Sequence, residues 1–313
     1  MAEEYSFIVI GAGGVGLAAA MYGARLGLKT IVFAHSYNSG APIGGTITMT
    51  NIVENYPGFI KTSGLYLSKL LKDHAESYDL VTIRQEEVKD ASKKGKFFLV
   101  KTNKGEYVGK ALLFATGTNV KKLDVKGAKK FENYGLNFCA LCDAPLYKNK
   151  TVAVIGGSDA ACREALILAE HAKKVYIIYR GEKIHPEEAT LKLLKKEPKI
   201  EVINNTNLVE VKGTKRVEEV ILDKEYKESK ELSLDGVYVA IGRTPISDLA
   251  RLLGVKLNEK KEIIIDHKTS ETNLPGVFAA GDVTNKPFKQ LIIGVAEGCT
   301  AAYSAFEYIK ANF

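Results

Sequence analysis

Two cysteines separated by two residues, Cys139-Ala-Leu-Cys142, carry the most pointed chemistry in this chain. Such a pair reads as half of a zinc site, as a redox dithiol, or as chance. A tetrahedral structural zinc needs two further ligands. No second Cys-x-x-Cys and no His-x-x-x-His accompanies the pair, and the five histidines are scattered. In a helical turn, residues three apart share a face, which brings two sulfurs within reach of each other. A cysteine at a helix start also gains thiolate character from the terminal amides. Asp143 follows immediately, either as an ordinary solvated carboxylate or as a shuttle for the proton that disulfide opening consumes. The remaining cysteines, Cys162 and Cys299, stand alone and read as small buried hydrophobes.

A dithiol must be charged with electrons, and two stretches are built to hold a carrier. The first is Gly11-Ala-Gly13-Gly-Val-Gly16, preceded by the apolar run FIVI (7–10) and followed by a stretch rich in Ala and Gly (15–27) and then KTIVF. This is strand, glycine turn, helix, strand: a βαβ unit. The first glycine permits the turn, the second lets backbone approach a pyrophosphate, and the third lets helix and strand pack, with the phosphates at the helix N-terminus. The acidic ribose ligand expected about 20 residues on is missing, since Ala34, His35 and Ser36 occupy that region.

The same order recurs at mid-chain: KTVAVI (150–155), Gly156-Gly157-Ser158-Asp159-Ala160-Ala161, a helix over 159–172, then KVYIIY (174–179). Ser158 stands where the closest-approach glycine belongs, and either crowds a pyrophosphate or hydrogen-bonds to it. The following strand ends in Tyr179-Arg180-Gly181-Glu182-Lys183. Arg180, with Lys183, suits a 2′-phosphate and therefore NADPH; Glu182 suits a free 2′-hydroxyl and therefore NADH. The sequence leaves both open. His185 reads as a loop residue within reach of the same phosphate.

Two apolar strands ending in glycine, ALLFATG (111–117) and GVYVAIG (236–242), bracket the second unit. A domain inserted into another would cross there, with the C-terminal portion, including the strand GVFAAGD (276–282) and a final helix over 290–310, returning to complete the first domain. At 313 residues and 46% hydrophobic the chain is long enough for two such cores. The net charge of +7 reads as a solubilising surface, and no basic cluster with interleaved aromatics points to nucleic acid. No run approaches the roughly 20 apolar residues of a membrane span. Glu3 and Glu4 stand where a signal peptide carries positive charge, so a cytoplasmic protein is expected.

Two dinucleotide sites and one dithiol form a chain of two-electron carriers: nicotinamide to flavin, flavin to a disulfide, and the resulting dithiol to an outside disulfide through a mixed disulfide. At this point the chain resembles the low-molecular-weight thioredoxin reductases over essentially its whole length. The motifs that carry the likeness are GAGGVG (11–16), GG with VENYPGF (44, 45 and 53–59), ATG (115–117), CALCD (139–143), GGSDAACREA (156–165) and VFAAGDVT (277–284).

The resemblance implies an α/β fold of two Rossmann-like, three-layer ββα nucleotide-binding domains, the second inserted into the first. It places an FAD-binding domain at 1–117 and 247–313 and an NAD(P)H-binding domain, carrying the dithiol, at 118–246. It implies FAD contacts from Gly11, Gly13, Gly16, Gly44, Gly45, Asn55, Gly117, Asp282 and Gln290, and NAD(P)H contacts from Gly156, Gly157, Ser158, Asp159 and Arg180. Cys142 would face the flavin, Cys139 would attack the partner, and Asp143 would act as acid and base. The implied partner is a thioredoxin or glutaredoxin-like protein and the implied assembly a homodimer. A rotation of one domain against the other is also implied, with Thr116-Gly117 and Ile241-Gly242 as hinges. The chain departs from the family pattern at YRGEK, at Ser158 and at Lys289, where an arginine is usual. A donor other than pyridine nucleotide, or oxygen as acceptor, is the alternative these departures raise, and a flavin-holding redox sensor is a third.

Overall fold

The residues of FIVI end the first strand, β1 (Glu3–Ile10), because their side chains have apolar company on both sides: Phe7 and Val9 pack into one core, Ile8 and Ile10 into the other. The computed structural model describes residues 3–34, 43–50, 53–132, 134–138 and 140–313, apart from the side chains of Met49, Leu141 and Cys142. After β1 come α1 (Gly14–Arg25), β2 (Thr30–Phe33), α2 (Gly64–Glu76), β3 (Val81–Arg84), β4 (Val88–Lys94), β5 (Phe97–Thr102) and β6 (Glu106–Phe114). Strands β3, β2, β1 and β6 run parallel, and β5 and β4 continue the sheet antiparallel.

The chain crosses out of this unit through β7 (Thr118–Val120). It continues with α3 (Ala128–Phe131), β8 (Leu136–Asn137), α4 (Ala140–Asp143), β9 (Thr151–Ile155), α5 (Asp159–Ala169), β10 (Lys174–Ile178), α6 (Glu188–Leu194), β11 (Ile200–Ile203), β12 (Leu208–Lys212), β13 (Glu219–Tyr226), β14 (Ser229–Ser233) and β15 (Gly236–Val239). It returns through β16 (Arg243–Pro245) and ends with α7 (Asp248–Leu253), β17 (Val277–Ala279) and α8 (Leu291–Asn312). Contacts divide the chain into Met1–Asn119 with Thr244–Phe313, and Val120–Arg243.

Each unit is a three-layer sandwich. In the first, β17 joins the sheet beside β6, and α1 and α8 cover the face carrying Phe7 and Val9. Ala19, Ala20, Ala301, Ala302 and Ala305 let those helices lie close. In the second, the parallel sheet has the order β11-β10-β9-β15-β8. Val152 and Val154 face α5, while Ala153 and Ile155 face the antiparallel sheet β12-β13-β14 through Val211, Val220 and Leu222. Both are Rossmann-like α/β units. Among the described residues, no helix is long and apolar enough to cross a membrane.

Candidate redox and dinucleotide sites

The two glycine turns are built alike. Gly11 donates its N–H to Phe33 at 2.9 Å, and Gly156 donates to Ile178 at 3.0 Å. The strand that closes each site does the same: Ala115 donates to Ile10 at 2.8 Å and Ala240 to Ile155 at 2.9 Å. At both turns φ is positive and a Cβ would stand 2.3 Å from the carbonyl oxygen of that closing strand, Ala115 or Ala240. Only a residue without a Cβ lets the turn pass over the sheet so closely.

In the first unit the turn meets a second glycine pair. Gly13 and Gly44 form an isolated bridge, Gly44 donates to Ala12 at 2.7 Å, and Gly45 leaves its Cα next to Gly13. Helix α1 begins at Gly14 just beyond, with Gly16 in its first turn, so unshielded backbone lines the approach to a helix N-terminus, as a pyrophosphate requires. Asn55 donates to Oε1 of Gln290 at 3.0 Å, and Gln290 caps α8. Asp282 lies in the short 3-10 turn Gly281–Val283, where its carbonyl accepts from Lys289 at 3.0 Å; Lys289 also pairs with Glu262. Gly117 has open space around it. The donor set fits an FAD: bare backbone at a helix N-terminus, with amide side chains and a carboxylate from the same unit. His35 and Ser36, where the ribose ligand was missing, lie outside the described residues.

In the second unit Ser158 is the N-cap of α5, and its hydroxyl accepts from Ala161 N–H at 3.5 Å. So long a bond is weak. Ser158→Gly should therefore change urea-unfolding stability by only a few tenths of a kcal/mol; a loss near that of a good cap would show that the hydroxyl holds the helix. Asp159 is committed to structure. Its carboxylate accepts from Arg163 Nε at 2.6 Å and from the Glu187 N–H at 3.0 Å. Burial would raise its pKa, but these bonds and one from Thr190 outweigh it and hold the carboxyl below its ordinary value. Arg180 is exposed at the end of β10. Its neighbour Tyr179, which the motif does not single out, is better placed: its ring lies against both Gly157 and Gly181, whose Cβ atoms would stand 2.5 and 2.6 Å from it. The His185 ring centre lies 5.6 Å from that of Tyr179, and the His185 backbone N–H donates to the Gly157 carbonyl at 2.8 Å.

The backbone of Cys142 lies in α4, while Cys139 and the Cys142 side chain lie outside the described residues. Asp143 ends that turn, half-buried, and burial raises its carboxyl above the ordinary aspartate value. A carboxyl so raised holds a proton to higher pH, which suits an acid beside a disulfide. Ala140 and Ala144, on either side, are buried in the core that α5 covers.

The chain matches the pyridine nucleotide-disulphide oxidoreductase family over residues 5–302. It is 35% identical over 311 residues to the thioredoxin reductase of Treponema pallidum (strain Nichols), covering 99% of this chain and 98% of that protein. Among solved structures, Lactococcus lactis thioredoxin reductase in its FR conformation superposes with a TM-score of 0.90 at 32% identity, over 98% of this chain and 99% of the other. The T. acidophilum thioredoxin reductase gives 0.89 at 35%, over 97% and 98%.

Proposed function

Because the chain belongs to the pyridine nucleotide-disulphide oxidoreductase family, we propose that it is a thioredoxin-disulfide reductase that draws electrons from NAD(P)H and delivers them through Cys139 and Cys142 to the disulfide of a thioredoxin or glutaredoxin-like protein. The observation that carries this reading is the repeated dinucleotide turn, Gly11 against Ala115 and Gly156 against Ala240, with Ala140 of the CALCD segment buried in the core of the second unit. One such turn serves many functions; two, joined to a dithiol, describe an electron path.

FAD belongs to the first unit, with Gly11, Gly13, Gly16, Gly44 and Gly45 leaving backbone open to its pyrophosphate and Asn55, Gly117, Asp282 and Gln290 around the remainder. Bound there, it supplies a two-electron relay between nicotinamide and dithiol. The second unit holds the nicotinamide nucleotide at Gly156, Gly157 and Ser158, with Arg180 offered to a 2′-phosphate, so NADPH is preferred over NADH. Asp159 braces the loop through Arg163 and Glu187. Cys142 faces the flavin, Cys139 is the nucleophile toward the partner, and Asp143 keeps a proton for the sulfur that leaves. The protein works as a cytoplasmic homodimer.

A second reading is favoured by the Tyr179 ring against Gly157 and Gly181, which occupies space beside the nucleotide turn: the same dithiol charged by another donor, such as reduced ferredoxin. Anaerobic titration of the yellow protein separates the two. NADPH should bleach the flavin at stoichiometric addition and NADH at higher concentration. Bleaching by dithiothreitol or reduced ferredoxin, with neither nucleotide effective, would establish the second reading and end the first.

A further inference from the structure

Beyond β17 the chain of the first unit leaves its sheet, and its backbone needs new partners. Ala280 still donates to the Phe114 carbonyl at 3.0 Å, but Gly281 turns away with φ +79°. Its N–H meets a side chain instead: Glu297 Oε2, reaching from α8, accepts from it at 2.9 Å. Glu297 is only 6% exposed. Its other oxygen, Oε1, has the Lys286 ammonium 3.0 Å away, off the line of a hydrogen bond, and accepts from no other group among the described residues. A buried N–H needs an acceptor, and an amide oxygen would serve that need. The charge of Glu297 is answered by Lys286, which is a quarter exposed.

Lys286 lies on the connector between the Gly281–Val283 turn and α8. That connector is tied back again at its far end, where Lys289 donates to the Asp282 carbonyl at 3.0 Å and pairs with Glu262. Val15, in the first turn of α1, fills a hollow left by three glycines. A Cβ on Gly281 or Gly294 would stand 2.8 or 2.7 Å from its Cγ2, and one on Gly298 would stand 2.4 Å from its carbonyl oxygen. Gly294 and Gly298 bracket Glu297 on α8. The glycine fingerprint, the Asp282 turn and α8 are remote in sequence, yet they pack on one another through bare backbone. Glycine contacts give closeness with little direction. A carboxylate bonded to a backbone N–H gives both direction and strength.

We propose that Glu297 is a positioning residue for FAD: its carboxylate, paired with Lys286, fastens the Gly281–Val283 turn to α8, so that the glycine fingerprint, Asp282 and Gln290 keep the spacing one flavin nucleotide requires. The proposal rests on the assignment of FAD to the first unit. Glu297 acts through the turn it holds. Its acceptor and its charge are separable contributions. An amide can replace the acceptor, and loss of the charge then leaves a lysine that water reaches. Loss of the lysine instead strands a buried carboxylate, which is the costlier change.

Glu297→Ala, Glu297→Gln, Lys286→Met and the double variant E297Q/K286M test this in the full-length, flavin-loaded protein, with Thr30→Val as control. Thr30 is fully buried, and its hydroxyl donates to the Leu28 carbonyl at 2.9 Å. It starts β2, whose other end, Phe33, meets Gly11, so T30V weakens the same unit away from the glycine turn. Flavin released on dilution is read by its fluorescence, and unfolding by the melting temperature. The flavin dissociation constant should rise about ten- to hundredfold in E297A, the range a stranded buried donor gives, and should stay within about threefold of the parent in E297Q. K286M should release flavin more readily than E297Q, and the double variant should return toward E297Q. A side chain needed only for its bulk would show no such non-additivity. T30V should melt earlier than the parent and keep its flavin. Parental flavin affinity in E297A, an equal loss from T30V, a loss in E297Q as great as in E297A, or a double variant no better than K286M would overturn the proposal. If E297A does not fold, E297Q and the K286M pair still decide it. A parent protein that neither carries flavin nor takes it up would remove the FAD assignment and the proposal with it, while the melting temperatures of the K286M pair would still show whether the ion pair holds the turn.

Discussion

Replacement of Cys139 by serine should yield a protein that accepts electrons and delivers none. Serine does not attack a disulfide at neutral pH, and the mixed disulfide with the partner never forms. Turnover should fall on the order of 10³-fold or more, the scale seen when a covalent nucleophile is removed. Reduction by nucleotide should survive at the flavin, because Cys139 lies beyond it on the electron path. On the proposed assignment of roles the remaining thiolate, Cys142, faces the oxidised flavin, and it should then give a long-wavelength absorbance band that grows as its thiol deprotonates. Cys142→Ser should be equally dead toward the partner and should lack the band. A band in the Cys142 variant and none in the Cys139 variant would exchange the two roles while leaving the dithiol in place. Full turnover in either would remove the dithiol from the mechanism.

Much of this architecture is legible as apolar period and punctuation. The start of α5 at Asp159 follows from Gly156-Gly157-Ser158, since a serine after a glycine turn is a ready N-cap. Its end at Ala169 falls short of residue 172, because His171 and Ala172 close a turn on Leu168 rather than extend the helix. Helix α2 carries its own signal in Ser63, whose hydroxyl accepts from Tyr66 N–H at 3.1 Å.

What is not legible is commitment. The motif offers Asp159 as a nucleotide ligand, but its carboxylate is already engaged by Arg163 and Glu187, partners 4 and 28 residues away. The motif also draws attention to Arg180, while the residue packed against the glycines is Tyr179.

The other large effect belongs to Gly11→Ala. Its φ of +114° already taxes any residue with a Cβ. Worse, that Cβ would stand 2.3 Å from the Ala115 carbonyl oxygen and 2.6 Å from its carbon. Backbone, not a flexible side chain, must yield. Ala115 is tied to Ile10 at 2.8 Å, at the end of the central β1–β6 pairing where Ile10 lies opposite Phe114. Relief of the clash therefore breaks the sheet where the dinucleotide turn leaves it. A cost of about 3–5 kcal/mol is expected, a large part of the about 5–15 kcal/mol that holds a typical domain together. Gly27→Ala supplies the control. Its φ is also positive, +79°, but its Cβ would meet nothing within 4 Å, so it should cost only about 1 kcal/mol. Gly156→Ala carries the same clash in the second unit, against Ala240. The three variants should thus sort by unit and by contact. G11A should lose bound flavin and melt early; G156A should melt early in its own unit yet retain flavin; G27A should do neither. Flavin-to-protein ratio and thermal unfolding read both properties. Full flavin in G11A with a melting point near that of G27A would mean that the close approach at Ala115 does not build the site.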